Sequence, residues 1–295
     1  MDLSEGFIAV DWGTTNRRAY RIDGSGACAG EFEDGQGVLS VPAGGFPAAV
    51  AEVRERLGDL PLLLGGMIGS NRGWVEAKYV PCPAGIEDLA RALVWPGERE
   101  AIVPGVCYLG DGRADVIRGE EVQLIGAVAD GDVPADALVC HPGTHNKWVE
   151  VREGRIASFR TVMTGELFSL LKKHSILSDL LVGDAEPGEA FERGAAHALE
   201  HADLPSELFA VRARVLLGQA EAKDASSYAS GLLIGSDVRI GLPSGKGVRV
   251  HVMGRPDLTR LYAAAIQLAG CEAIELDGEE SFLDGIRRIA ERIAE

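Results

Sequence analysis

The sequence predicts an α/β protein made of two duplicated lobes. Two observations lead there: a strand-turn-strand unit that occurs twice, and an alternation of helical and strand patterns between and after the copies. In the first copy Phe7-Ile8-Ala9-Val10 reads as a buried strand, Asp11 to Asn16 as a turn and Arg18 to Ile22 as the returning strand, closed by Asp23-Gly24-Ser25-Gly26. In the second, Ala137 to Cys140, His141 to Asn146 and Lys147 to Val151 repeat the arrangement, with a hairpin at Arg152-Glu153-Gly154. Gly13, Thr14, Asn16 and Arg17 match Gly143, Thr144, Asn146 and Lys147 at a constant offset of 130 residues without a gap. One such match carries little weight; four in register within the same frame point to duplication.

The remaining elements follow in chain order. Phe46, Ala49, Val50, Val53 and Leu57 keep helical spacing, and residues 60–64 form a buried strand that runs into the glycine-rich loop Gly65 to Trp74. Arg118-Gly119-Glu120-Glu121 precedes the apolar run Val122-Leu124-Ile125 and opens a helix, whose dipole favours carboxylates in its first turn. The second lobe continues with helices around 167–173, 206–219 and 225–234, a strand over 248–252 ended by Gly254, and a helix over 257–267. Phe282, Ile286, Ile289 and Ile293 share one face of a final amphipathic helix, 279–294, that suits either lobe. The segment 131–136 is the expected boundary, giving an N-terminal lobe over 1–134 and a C-terminal lobe over 135–295.

Composition narrows the partners. A net charge of −16 opposes nucleic acid and anionic lipid, which require a continuous basic surface. An anionic small molecule remains compatible where basic residues gather, and Arg17, Arg18, Arg72, Lys78, Arg118, Lys147 and Arg160 are the candidates. No apolar run approaches the ~20 residues of a membrane span, and the N-terminus lacks a signal-peptide layout, so a cytoplasmic protein is expected. The five cysteines are scattered and odd in number, which suits reduced core residues and no metal cage. The oligomeric state, a homodimer included, is left open.

In turns of this type glycine permits close backbone approach, while backbone N–H groups and threonine hydroxyls suit phosphate oxygens. The bland alternative is a pair of ordinary glycine-containing hairpins. Together the features resemble the superfamily of actin, sugar kinases and heat-shock ATPases, whose ribonuclease H-like lobes each carry a phosphate loop and bind ATP in the cleft between them. Asp11-Trp12-Gly13-Thr14-Thr15-Asn16 resembles its first phosphate motif, His141-Pro142-Gly143-Thr144-His145-Asn146-Lys147 the second, and His251-Val252-Met253-Gly254 a weak adenosine motif. More narrowly, the chain resembles the 2-dehydro-3-deoxygalactonokinase family. The similarity lies in Val10 to Asn16, Gly66 to Ser70 with Gly73-Trp74, Arg118 to Ala127, Pro142 to Val149 and Phe159 to Phe168.

That resemblance implies transfer of the ATP γ-phosphoryl group to the 6-hydroxyl of 2-dehydro-3-deoxy-galactonate, with Mg²⁺. It places Gly13, Thr14, Thr15 and Arg17 on phosphate from one lobe and Gly143, Thr144, His145 and Lys147 from the other, with Gly254 at adenosine. Asp11 is the expected metal partner, through water, and Glu120 or Glu121 the base that accepts the sugar proton. Gly69, Ser70, Arg72 and Trp74 are expected at the sugar acid, Arg72 gripping its carboxylate, with Arg160 and Arg18 in reserve. Two rivals share the motifs: a phosphohydrolase of the same fold, and a nucleotide-switched scaffold without a small-molecule acceptor.

Overall fold

The computed structural model describes residues 1–242 and 247–294. The chain divides into two compact units: unit 1 holds Met1–Asp136, Val151–Ser158 and Glu279–Glu295, and unit 2 holds Ala137–Glu150 and Phe159–Gly278. The main division, between Asp136 and Ala137, lies close to the expected boundary; the tip of one hairpin joins unit 1, as does the last helix, whose lobe the sequence left open.

In unit 1 the strands are β1 (Gly6–Trp12), β2 (Arg17–Asp23), β3 (Cys28–Asp34), β4 (Leu62–Gly66), β5 (Val80–Pro81), β6 (Val94–Gly97), β7 (Glu100–Ile102), β8 (Val106–Gly110) and β9 (Arg113–Ile117). The helices are α1 (Phe46–Leu57), α2 (Ile86–Arg91) and α3 (Glu120–Asp130). The main sheet has the order β3-β2-β1-β4-β7-β6, and β5-β8-β9 form a small second sheet that periodicity does not reveal. Strand β1 is apolar on both faces because it lies inside the sheet, antiparallel to β2 and parallel to β4. Helix α1 buries Phe46, Val50, Val53 and Leu57, as their spacing requires, and stops at Gly58, whose φ of 108° few other residues adopt.

Unit 2 contains β10 (Ala137–His141), β11 (Asn146–Arg152), β12 (Arg155–Val162), α4 (Thr164–His174), α5 (Glu189–Glu200), α6 (Leu204–Leu216), α7 (Ala225–Gly241), β13 (Arg249–Gly254), α8 (Pro256–Leu268) and β14 (Glu272–Asp277). Its sheet order, β12-β11-β10-β13-β14, repeats the β3-β2-β1-β4-β7 order of unit 1. The duplication seen as four matched residues thus extends to five strands of each sheet, and the fold is that of two duplicated α/β lobes. Helix α7 is buried along most of its length. A Cβ on Gly231 would lie 2.2 Å from the Phe191 carbonyl oxygen and one on Gly235 2.5 Å from that of Ala195, so these glycines let α7 touch α5. The stretch Gly231 to Ser236 is helix core.

The final helix, α9 (Gly278–Ala294), joins unit 1 through Phe282, Ile286 and Ile289, all buried. A Cβ on Gly126 of α3 would lie 2.0 Å from the Ser281 carbonyl oxygen, and one on Gly285 equally close to that of Val122. Two glycines thus bring α3 and α9 into backbone contact and fix the helix that carries Glu120 and Glu121.

Candidate active site

Asp11 stands near the C-terminal end of β1, in register with Gly65 of β4, and the next pair is Trp12 with Gly66. Gly66 has a φ of +89°, and a Cβ there would lie 2.8 Å from the Trp12 carbonyl oxygen and 3.3 Å from Asp11 Oδ1. Gly119, at φ +107°, meets the Gly66 Cα at 3.3 Å in the same sense and starts α3. Both positions demand glycine, and together they set the first turn of α3 near Asp11.

Charge accumulates at this point. Burial raises the Asp11 carboxyl from 3.8 to about 6; Arg18 opposes the rise, while Glu120, Glu279 and Glu33 add to it. Arg18 is shared, lying 3.2 Å from Glu33 and 3.7 Å from Glu279. Glu121 is fully enclosed: its Oε2 accepts the Gly119 N–H at 2.6 Å, and its Oε1 is buried without a partner. Burial first, and the neighbouring Glu120 second, push its carboxyl up to about 8. Glu120 is half-buried, with Oε2 accepting the Arg118 N–H at 3.1 Å.

The first turn, residues 13–16, is exposed at Thr14 and Thr15. The carbonyl oxygens of Gly13, Thr14 and Thr15 accept N–H groups from Val38, Leu39 and Gly37. Tying these carbonyls back removes groups that would repel an anion, while Thr14 and Thr15 stay exposed. Arg17 does not join them. It is fully buried, faces Asp34 across the β2–β3 ladder, and gives Nε and Nη2 to that carboxylate at 3.2 and 2.7 Å and Nη1 to the Ala49 carbonyl at 3.1 Å. The expected phosphate ligand is a strut of the sheet, because the pleat turns the first residue of β2 inward.

The glycine-rich loop divides similarly. Ser70 is buried and its Oγ accepts the Arg72 N–H at 3.2 Å, while Trp74 is partly buried against the core of unit 1. Arg72 is exposed and makes no ion pair among the described residues. A Cβ on Gly69 would lie 2.8 Å from Arg118 Nη1. The Arg118 guanidinium stacks over Tyr79 at 4.4 Å and donates Nη2–H to the Ala77 carbonyl at 2.8 Å, with Nε and Nη1 buried and unpartnered.

In unit 2, the turn at residues 142–145 exposes Thr144 and His145, and the carbonyl oxygens of these two residues are occupied. The Glu166 N–H donates to the Thr144 oxygen at 2.9 Å and Lys147 Nζ to the His145 oxygen at 3.0 Å. Lys147 is buried and braces its own turn, whereas Arg17 braces the sheet; neither side chain is exposed as the expected phosphate contact requires. Asn146 is buried too, and both oxygens of Asp237 on α7 accept its Nδ2–H at 3.0 and 3.1 Å. The same carboxylate accepts Trp148 Nε1–H at 2.7 Å, Tyr262 O–H at 2.6 Å and the Thr164 hydroxyl. Gly254, at φ +152°, ends β13 beside the turn, where a Cβ would lie 3.3 Å from the Pro142 carbonyl oxygen. Arg160 is exposed on β12. A cavity of about 950 Å³ elsewhere in unit 2, floored by Phe191, Val211 and Tyr228, holds none of these residues.

Among the described residues no group of three or more His, Cys, Asp or Glu side chains forms a metal cage. A divalent ion held mainly by non-protein oxygens needs only one or two protein carboxylates, and Asp11 offers one.

A family model described as 2-keto-3-deoxy-galactonokinase matches residues 11–289, from Asp11 to the last helix. The chain belongs to the 2-keto-3-deoxy-galactonokinase family. It is similar to the 2-dehydro-3-deoxygalactonokinase of Escherichia coli (strain K12), at 36% identity over 98% of each chain. A Rhizobium meliloti (strain 1021) protein described as a candidate for the same enzyme is 35% identical over 97% of each. The crystal structure of a candidate 2-dehydro-3-deoxygalactonokinase from Sinorhizobium meliloti matches with a TM-score of 0.91 at 34% identity, covering 97% of this chain and 99% of that one.

Three residues of this galactonokinase-family chain escape a reading of the sequence: Asp237, Glu166 and the buried side of Arg118. A carboxylate inside the otherwise apolar run of α7 was the available signal for Asp237. Glu166 lies in one of the resembling blocks, but no spacing rule links it to His145.

Proposed function

We propose that the protein is an ATP-dependent kinase that phosphorylates the 6-hydroxyl of 2-dehydro-3-deoxy-galactonate, a step in galactonate breakdown. The observation that carries this beyond family membership is the matched construction of the two turns. Each exposes two residues, Thr14 and Thr15 in one and Thr144 and His145 in the other, whose own carbonyl oxygens accept hydrogen bonds from within the protein. The names of the relatives support the same substrate.

In this reading Gly13, Thr14 and Thr15 hold phosphate in unit 1, and Gly143, Thr144 and His145 do so in unit 2, with Gly254 near adenosine. Asp11 would hold Mg²⁺, which would supply positive charge to offset the charge that develops on the transferred phosphoryl group. Glu120 takes the proton of the attacking hydroxyl. It is the reachable carboxylate of the pair, whereas Glu121 is enclosed and, with its carboxyl at about 8, uncharged at neutral pH. The exposed Arg72 receives the sugar-acid carboxylate, a role in which Arg160 is the reserve; Ser70 shapes the loop, and Trp74 anchors it. A cytoplasmic location is part of this reading; among the described residues no helix is long and apolar enough to cross a membrane.

The test is ADP release from Mg·ATP in the presence and absence of 2-dehydro-3-deoxy-galactonate. Acceptor-dependent release supports the kinase; equal release without acceptor favours a phosphohydrolase.

A further inference from the structure

The first turn of α4 touches the second turn in three different ways. The Thr164 hydroxyl donates to Asp237, the carboxylate that also holds Asn146. Gly165 has no room for a side chain, since a Cβ would lie 2.5 Å from the Gly143 carbonyl oxygen and 3.0 Å from the Thr144 Cα. Glu166 donates its N–H to the Thr144 oxygen at 2.9 Å, and its Oε2 lies 2.6 Å from His145 Nε2. Three consecutive residues thus set the backbone of the turn, and the third also sets its side chain.

The histidine contact has a chemical consequence. A carboxylate accepts hydrogen bonds and cannot donate, so Nε2 carries the hydrogen and only Nδ1 is left to meet a ligand. A neutral ring protonated at Nε2 presents a lone pair at Nδ1, which repels a phosphate oxygen. An imidazolium presents Nδ1–H instead, and the Glu166 charge is the partner that balances it.

We propose that Glu166 is a positioning residue that holds His145 with Nδ1–H directed at a nucleotide phosphate oxygen. This rests on the kinase reading. Glu166 is not a catalytic residue: it acts through the imidazole, and its own backbone N–H is spent on the turn. Both side chains are partly exposed, 45% for His145 and 38% for Glu166, so either can be replaced without opening the core.

The experiment is a double-mutant cycle with Glu166→Gln, His145→Gln and the double variant, with melting temperature confirming the fold of each. It measures KM for Mg·ATP, KM for the sugar acid, kcat, and calorimetric affinity for a non-hydrolysable ATP analogue. Glu166→Gln should raise KM for ATP and weaken the analogue about tenfold, leaving kcat and the sugar-acid KM within about twofold. The double variant should be no worse than His145→Gln alone. Unchanged nucleotide affinity in Glu166→Gln, or losses that multiply in the double variant, would overturn the proposal. If the unmodified protein neither binds the analogue nor releases ADP, the kinase reading itself fails and the proposal with it.

Discussion

The Gly119 N–H donates to Glu121 Oε2 at 2.6 Å, while the other oxygen of that carboxyl is buried without a partner. The site therefore keeps a carboxyl group where its charged form is poorly served. With its carboxyl at about 8 in the folded protein against 4.5 as the ordinary value, Glu121 keeps a proton that the unfolded chain gives up. The native state binds more protons across that window, so this contribution is complete below about pH 4.5, declines as pH rises, and is lost above about 8. Asp11, at about 6 against 3.8, acts with the same sign over a lower window. Glu121→Gln should flatten the decline, melting several degrees above the unmodified protein at about pH 8 and close to it at about pH 5. Thermal scans across this range check it, and parallel curves would contradict it.

Glu120 and Glu121 differ in reach, and their glutamine variants should differ in turnover. Loss of a general base costs on the order of 10² to 10⁴ in rate. Glu120→Gln should fall in that range with KM for ATP little changed, and Glu121→Gln should lose less than about tenfold. Steady-state kinetics on both variants decide this, and a reversed ranking would move the base to Glu121.

Arg17 is predicted to matter for stability and not for nucleotide. Removing one partner of a buried ion pair strands the other, and Arg17→Met should cost about 3 kcal/mol in urea unfolding. Arg56, 2.7 Å from the same Asp34 oxygen, keeps the cost from running higher. KM for ATP in the folded variant should stay within about twofold.

Asp237 gathers donors from Asn146, Trp148, Thr164 and Tyr262 in a buried site. Burial raises its carboxyl and the four hydrogen-bonding partners oppose the rise. Asp237→Ala leaves buried donors without an acceptor, so a loss of at least about 3 kcal/mol is expected. Denaturant unfolding of the variant measures it.

The sequence carried the strand-turn-strand frames, because alternation of apolar runs with Gly-Thr turns is a local pattern. It also carried α1 and α9, whose apolar spacing is helical. What it lacked was orientation across the sheet. Arg17 and Thr15 lie two residues apart, yet one is sealed against Asp34 and the other exposed, a difference set by a third strand that brings Asp34 opposite Arg17. Asn16 and Asn146 occupy matched positions, but the first is exposed and the second is held by Asp237, 91 residues away in the chain. The membership of α9 in unit 1 depends on Gly126 and Gly285, whose value lies in a close helix contact that no periodicity records.

The central claim is tested most directly by incubating the protein with Mg·ATP and, separately, 2-dehydro-3-deoxy-galactonate, its gluconate epimer, galactonate and galactose, following ADP and locating the new phosphate by NMR. The kinase reading predicts ADP in step with a 6-phosphorylated 2-dehydro-3-deoxy acid, the galactonate form being preferred, and no release with galactose. ADP release at the same rate without any acceptor, or a phosphate on another hydroxyl, would contradict it.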